Sequence, residues 1–502
     1  MKYAIAVIDI GMTNKKVAVY DDRLNQIDAQ YKNFSPQLID GLECHGLEAM
    51  EDWFLEKLAD GAKRFPIKVI AVTTHGATFV CTDTAGNVSL PSIFYTHEPG
   101  DAFHDEFYRE FGSPEELQKA TCTPYLKAMI NMAKGIYFAK KRYPEAFAKT
   151  AYLFNYPQYW GFRLTGIYGM EGTYMGCHSY LWDWEKQRLS TAAEKLGLVP
   201  LMPGRLHNSW DILGTITPEL AERTGLPGET IVTMGIHDSN ASLLPHFAKK
   251  GETGFVLNST GTWCVLMNPV KDHGFSPDEI GKVVFFNISA FGGPVKTAIF
   301  LGGQEFESWS RLIMGIHKRD DIPPFNKDLY ITILKERRAF LMPELTAGSG
   351  QFPNSKPRVL EDGKEYHFAG MSAGSTGTAL PPVFGDYERA FALLKISLVM
   401  QTLTALERSG LAPGNEVYTE GGFRRDRAYN ALLSAALPDN RLFLTGIAEA
   451  SAFGAAMTGR MALTGDSLTD LAADFTVDYT EVPKEGIPAI HSYREQWLQY
   501  TF

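Results

Sequence analysis

Short apolar runs broken by glycine and small polar residues set the rhythm of the first eighty positions. Residues 4–8 are apolar, and Asp9 ends the run. Val17-Ala18-Val19-Tyr20 resumes it, which predicts a hairpin turning at Asp9-Ile10-Gly11-Met12-Thr13-Asn14-Lys15-Lys16. Residues 46–62 carry the spacing of an amphipathic helix, and residues 69–74 read as a buried strand ending at His75-Gly76. Strands alternating with helices predict an α/β protein with a mixed sheet.

The pattern returns near the middle of the chain. Residues 254–258 and 263–267 are apolar and flank the small polar turn Ser259-Thr260-Gly261-Thr262, a second hairpin of the same design. Just before it, residues 231–234 predict a strand and Ala241 opens a helix capped by Ser239 or Asn240. The polar stretch 246–253 is the expected linker. Residues 345–380, rich in Gly, Ser, Pro and Thr, predict a surface excursion, and 386–409 a long helix stopped by Gly410. Strands at 417–419 and 442–444 follow, then a small-residue helix at 449–463. The expected organisation is an N-terminal lobe (1–246), a C-terminal lobe (254–465) and a tail (466–502) packing on the lobes.

Composition narrows the function. A chain of 502 residues with 45% hydrophobic and 21% charged positions is globular and not disordered overall. Its net charge of −10 argues against nucleic acid or an anionic membrane as the main partner. Apolar runs fall short of the roughly 20 residues of a spanning helix. Residues 1–9 lack the cleavage pattern of a signal peptide. Five scattered cysteines without a Cys-x-x-Cys suggest neither a disulfide framework nor a zinc site, and the expected compartment is a reducing cytoplasm.

No P-loop and no Gly-x-Gly-x-x-Gly is present, so any nucleotide must be held by another device. A tight hairpin turn aligns backbone N–H groups into an anion-binding nest. In the first hairpin Gly11 permits close approach, Thr13 and Asn14 add donors, Lys16 adds charge, and Asp9 could hold hydrated Mg²⁺. The plainer alternative is an ordinary hairpin. The turn at Thr260, Gly261 and Thr262 repeats the logic, and two such turns in facing lobes could grip one polyphosphate. Asp238, in Gly235-Ile236-His237-Asp238, sits at a strand end beside a helix start, where it could serve as a general base or merely as a helix cap. Glu420-Gly421-Gly422-Phe423 would let a flat ring lie on the backbone, with Arg424 and Arg425 following.

In order and spacing these segments resemble the FGGY carbohydrate kinases, part of the larger sugar-kinase and actin-like ATPase group. The first phosphate motif, Asp-x-Gly-Thr-Thr/Ser-x-x-Lys/Arg, corresponds to residues 9–16, with Met12 replacing a Thr. Gly235-Ile236-His237-Asp238 resembles the catalytic Gly-x-x-Asp, and Ser259-Thr260-Gly261-Thr262-Trp263 the second phosphate motif, worded as in rhamnulose and fuculose kinases. Residues 420–423 resemble the adenosine motif, with Glu420 in place of its first Gly. The resemblance implies two ribonuclease-H-like lobes around a central cleft, ATP and Mg²⁺ as cofactors, and Asp238 as the base. It implies nucleotide contacts at Gly11, Thr13, Asn14, Lys16, Thr260, Gly261, Thr262, Gly303, Gly421, Gly422 and Arg425, with Asp9 at the metal.

Sugar contacts are implied at Thr74, His75, Gly76, Tyr95, His97 and Asp238, with His97 and Pro99 where the family carries Asp and Arg. Tyr95 and Trp160 could stack on a sugar face. The expected activity is phosphorylation of a small ketose, such as a deoxyketose or pentulose. Alternatives are a kinase of a polyol or sugar acid, an actin-like ATPase without sugar transfer, or an inactive sugar sensor. A homodimer is compatible with this picture.

Overall fold

The computed structural model describes residues 1–372, 379–447 and 449–501. The first lobe is built on strands β1 (Ala4–Ile10), β2 (Asn14–Asp21) and β3 (Gln26–Asn33), helix α1 (Leu47–Ala62), and strands β4 (Ile67–Thr74), β5 (Ile212–Thr215), β6 (Ile231–Thr233) and β7 (Ile236–His237). Strands β3, β2 and β1 run antiparallel, and β4 and β6 continue the sheet parallel to β1. Strand β5 closes the far edge beside β6, and β7 adds to the end of β4.

Helix α2 (Asp238–Lys250) leads to the second lobe, with strands β8 (Phe255–Thr260), β9 (Cys264–Pro269), β10 (Val284–Ile288) and β11 (Pro294–Phe300). Helices α3 (Gly302–His317) and α4 (Tyr387–Arg408), strand β12 (Glu416–Gly421), helix α5 (Arg427–Ala435), strand β13 (Arg441–Thr445), helix α6 (Ala450–Thr464) and strand β14 (Tyr479–Glu481) complete it. Here β11, β9 and β8 are the antiparallel strands, and β12 and β13 lie parallel to β8. Both lobes thus share one ribonuclease-H-like topology, as the resemblance to the FGGY kinases implies.

Strand β1 is apolar on both faces because both are covered. Ala4, Ala6, Ile8 and Ile10 face the first lobe's own core, which includes α1. Ile5 and Val7 alternate with them and face a central core shared by the lobes. Strand β4 divides in the same way, with Ile70 and Val72 on one side and Val69 and Ala71 on the other.

The shared core is organised by an exchange of helices. Helix α2 follows the first lobe in sequence yet lies on the second sheet, with Phe247 5.9 Å from Phe255 and His246 stacked on Tyr418. Helix α6 belongs to the second lobe in sequence, ahead of β14, yet lies on the first sheet, where Gly459 fits against Ile5, Val69 and Ala71. The two helices cross so closely that a Cβ on Gly454 would stand 2.0 Å from the Ala241 carbonyl oxygen.

Four expectations change. The stretch 246–253 is helical to Lys250, because His246 and Phe247 are buried, and only the residues from Gly251 to Gly254 connect the lobes. Helix α2 opens at Asp238 behind His237, so Ser239 and Asn240 lie in its first turn and do not cap it. Helix α4 has the length and composition of a membrane span, but 94% of its apolar window is buried in the second core. The described part of 345–380 includes a hairpin with Arg358, Val359 and Leu360 buried, so it is no mere excursion; residues 373–378 lie outside the described residues. In the C-terminal stretch, Tyr493 and Trp497 are buried against Phe340 and Phe352.

Candidate active site

Pairing of β7 with β4 brings His237 opposite Thr74 and sets Asp238 at the mouth of α2. Between the lobes this leaves a cavity of about 210 Å³. That is smaller than the roughly 300–1,000 Å³ of sites for drug-sized ligands. One wall is polar: His75, Tyr95, His178, His237 and Asp238, while Asn287 stands beside Phe285 on β10. The other is apolar, drawn from Leu126 and Ile130 of the first lobe and Val265, Phe285 and Ile299 of the second. Trp263, just beyond the second hairpin turn, completes it.

Burial pushes the Asp238 carboxyl up to about 6, although the backbone N–H of Ser239 (2.6 Å) and the Ser239 hydroxyl (3.2 Å) donate to its Oδ1. Burial moves the imidazoles the other way, to about 3 for His75 and His178 and about 4 for His237, so all three are neutral near pH 7. His75 donates from Nδ1 to the Gly76 carbonyl (2.9 Å), leaving a buried Nε2 without a protein partner. A buried, unpartnered acceptor is costly unless a ligand supplies a hydroxyl. Tyr95 lies against the His75 ring, with centroids 5.5 Å apart.

Three sugar-side expectations are corrected. Thr74 is fully buried behind the wall, its hydroxyl donating to the His75 carbonyl (3.0 Å). His97 packs on Phe138 and is absent from the lining, because the neighbouring Glu98 anchors the loop through His104, Gly100 and Ala128. Trp160 is core, edge-on to Phe54. The sequence reading missed His178 and Trp263. Trp263 lies inside the Ser-Thr-Gly-Thr-Trp motif, whereas nothing in local pattern marks His178.

At the two hairpin turns expected to face nucleotide, a glycine N–H closes the loop, reaching three residues on in the first and two in the second. Gly11 N–H donates to the Asn14 carbonyl (3.0 Å), and Gly261 N–H to the Trp263 carbonyl (2.9 Å). Thr13, Asn14, Gly261 and Thr262 are exposed at the tips, as phosphate contact requires. Thr260 is not: its buried hydroxyl donates to the Glu420 carbonyl and accepts from Phe423 N–H (2.9 Å), tying the second hairpin to the 420–423 turn. Gly303 is half-buried, and its role is close approach to the turn. A Cβ there would stand 2.0 Å from the Gly261 carbonyl oxygen, so this glycine seats the start of α3 against the turn.

Lys16 does not reach the tip. It is ion-paired with Asp9 (3.0 Å) and Glu449 (3.1 Å), while Lys15 props the turn by donating to the Met12 carbonyl (2.7 Å). Asp9 also accepts from the Ser451 hydroxyl (3.0 Å). Burial raises its carboxyl above the ordinary range, Lys16 opposes this, and the nearby Asp238 adds to it. Asp9 and the partly exposed Asp238 are the carboxylates that could hold a divalent cation, which would relieve the repulsion Asp238 adds at Asp9.

Gly422 and Arg425 line a second hollow, of about 340 Å³, with Phe306, Ile322 and Pro323. Its apolar faces suit a flat ring. Gly421 has φ +80°, and a Cβ there would stand 2.0 Å from the Thr260 carbonyl oxygen. Glu420 leaves the hollow open, because its carboxylate turns toward His246 (3.7 Å) and Thr445 (3.5 Å).

Residues 4–245 match the N-terminal domain model of the FGGY family of carbohydrate kinases, and residues 252–467 match the FGGY C-terminal domain model. A rhamnulokinase of Halalkalibacterium halodurans is 23% identical over 305 residues, 58% of this chain and 61% of that protein. An L-fuculokinase of Escherichia coli is 26% identical over 274 residues, 52% of this chain and 56% of that protein. The matched stretches therefore span little more than half of these relatives. Among solved structures, a carbohydrate kinase from Novosphingobium aromaticivorans is 25% identical with a TM-score of 0.81, covering 100% of this chain and 98% of that one. A gluconate kinase from Lactobacillus acidophilus shares the fold, with a TM-score of 0.80 at 14% identity over 99% of this chain and 96% of that one. With both domain models matched end to end across two lobes of one topology, the chain belongs to the FGGY family of carbohydrate kinases.

Proposed function

We propose that this protein transfers the γ-phosphoryl group of ATP to a hydroxyl of a small sugar, a ketose with one deoxy end. The observation that carries the proposal is the divided cavity. Asp238 and neutral histidines form one wall, and Leu126, Ile130, Phe285 and Ile299 form the other. A hydroxylated edge is recognised by the first wall and a methyl group by the second. No Lys or Arg occurs among the described residues lining this cavity, which disfavours a sugar acid. The curated relatives named for rhamnulose and fuculose phosphorylation support a deoxyketose, and the cavity agrees.

In this proposal the sugar hydroxyl gives its proton to the Asp238 carboxylate as its oxygen bonds to the γ-phosphorus and ADP departs. Asp238 suits the role because its raised affinity for a proton still leaves it ionised near pH 7. The turns at Gly11–Asn14 and Gly261–Thr262 hold phosphate oxygens through backbone and hydroxyl donors, and Gly422 and Arg425 flank the base. Mg²⁺, held through Asp9, would neutralise charge on the phosphates. Lobe approach brings the apolar wall over the acceptor and keeps water from the phosphoryl group.

Coupled ADP release with matched ketoses, one member of each pair lacking its terminal hydroxyl, tests this. The deoxy member should be preferred roughly tenfold or more in kcat/KM. Asp238→Asn should bind nucleotide yet lose turnover. Steady ATP hydrolysis indifferent to every sugar would replace the kinase with an actin-like ATPase.

A further inference from the structure

The floor of the acceptor cavity gathers a set of groups that sugar binding alone does not account for. The thiol of Cys177 and ring nitrogens of His178 and His237 lie within 4.8 Å of one another. These are the ligand types that thiophilic divalent ions select. Their spacing is telling. With Zn–S near 2.3 Å and Zn–N near 2.05 Å, a tetrahedral ion sets its sulfur and nitrogen ligands about 3.6 Å apart. Cys177 Sγ stands 3.6 Å from His237 Nε2. A carboxylate and an imidazole on the same ion stand about 3.4 Å apart. Asp238 Oδ1 stands 3.4 Å from His237 Nε2.

The supporting shell is in place as well. His178 Nδ1 donates to the Ile130 carbonyl (3.0 Å), which fixes its tautomer and turns the Nε2 lone pair inward. The Asn240 side chain faces His237 Nδ1 at 3.4 Å, and its amide oxygen is buried without a partner. Turning that carboxamide over lets the oxygen accept from Nδ1–H, which frees His237 Nε2 in turn. Gly76 keeps the notch open: a Cβ there would stand 2.8 Å from His178 Nε2 and 2.9 Å from His237 Nε2.

We propose that Cys177, His178 and His237 form a zinc-type site in the cavity floor, with its fourth position turned to Asp238. The ion here is separate from the one assigned to Asp9. Its occupancy would take the base out of use and fill the acceptor space, so the site acts as a brake sensitive to thiophilic metal. The thiol proton leaves to solvent as the thiolate binds.

Equilibrium dialysis of the chelator-treated full-length protein against Zn²⁺ should give one tight ion per chain. Co²⁺ in its place should show a thiolate-to-cobalt charge-transfer band together with the visible bands of a tetrahedral site. Cys177→Ser should abolish the charge-transfer band, and His178→Gln should weaken binding beyond the roughly 10–100-fold loss that outer-shell changes cause. Gly76→Ala, which fills the notch and removes no ligand, should do the same. These readouts do not depend on the enzyme's turning over any sugar. Absence of stoichiometric Zn²⁺ binding, or a cobalt spectrum without the thiolate band in the unaltered protein, overturns the proposal even if every variant misfolds. So does tight binding that survives both ligand substitutions.

Discussion

The crossing of α2 and α6 offers the sharpest test of how the lobes hold the site. Gly454→Ala adds one methyl group, placed 2.0 Å from the Ala241 carbonyl oxygen and 2.5 Å from its carbon. Ordinary contact begins at 3.4 Å, so the helices must part by about 1.4 Å. Both partners are backbone, and no rotamer change can absorb the clash. Overpacking of this kind costs about 1–3 kcal/mol. A functional cost of similar size comes with it, because α2 begins with Asp238 and α6 begins beside Ser451, which binds Asp9. Parting the helices therefore separates Asp238, the proposed base, from the Gly11–Asn14 hairpin proposed to hold phosphate. A displacement near 1 Å at reacting groups costs on the order of 100-fold in rate. Urea unfolding and coupled ADP release on the same preparation would read both effects. A variant with an unchanged midpoint and kcat within twofold of wild type would show that the crossing does not set the site.

The other predictions follow from single groups. As the proposed base Asp238 must be ionised, and its folded value is about 6, so kcat/KM should fall as pH drops through 6, about tenfold for each further pH unit. Because its proton affinity is raised from 3.8 on folding, it contributes stability below about pH 4 that is lost as pH rises through 6. Asp238→Asn should accordingly melt higher than wild type at pH 8, and the two should converge near pH 4 in a thermal scan. Gly421→Ala should raise the ATP KM, since φ +80° and the Thr260 carbonyl both reject a Cβ, whereas Gly422→Ala should not, its nearest neighbour being 3.6 Å away. Phe285→Ala should enlarge the apolar wall and erase most of the preference for a deoxy acceptor, read as the ratio of kcat/KM for a matched ketose pair.

Much of this molecule was legible in its sequence where physics is local. The hairpins at Gly11 and Gly261, the strand ending at His75 and the glycines at 421–422 announce themselves through period and turn chemistry. Asp238 was legible as a carboxylate at a strand end. What stayed hidden depends on distant packing. Lys16 looked like a phosphate ligand until Glu449, more than four hundred residues away, was seen to claim it. Thr260 matched a motif, but its hydroxyl is spent on the 420–423 turn. His97 was placed by alignment to a pattern, and its own loop carries it off to Phe138. Cys177 and His178 carried no spacing signal, since their partner His237 arrives by sheet pairing.

The exchange of α2 and α6 means that units of inheritance and units of stability do not coincide here. A chain severed at Gly251–Gly254 yields two halves, each with a complete sheet and one bare face. The first half lacks the helix that lies on Ile5, Val69 and Ala71, and it carries instead a helix shaped for Phe255 and Tyr418. Neither half can bury its apolar surface alone, and each carries the missing part of the other. The lobes are mutual chaperones: a gene that lost either one would leave its remnant sticky, and gene fission would succeed only if both products met again.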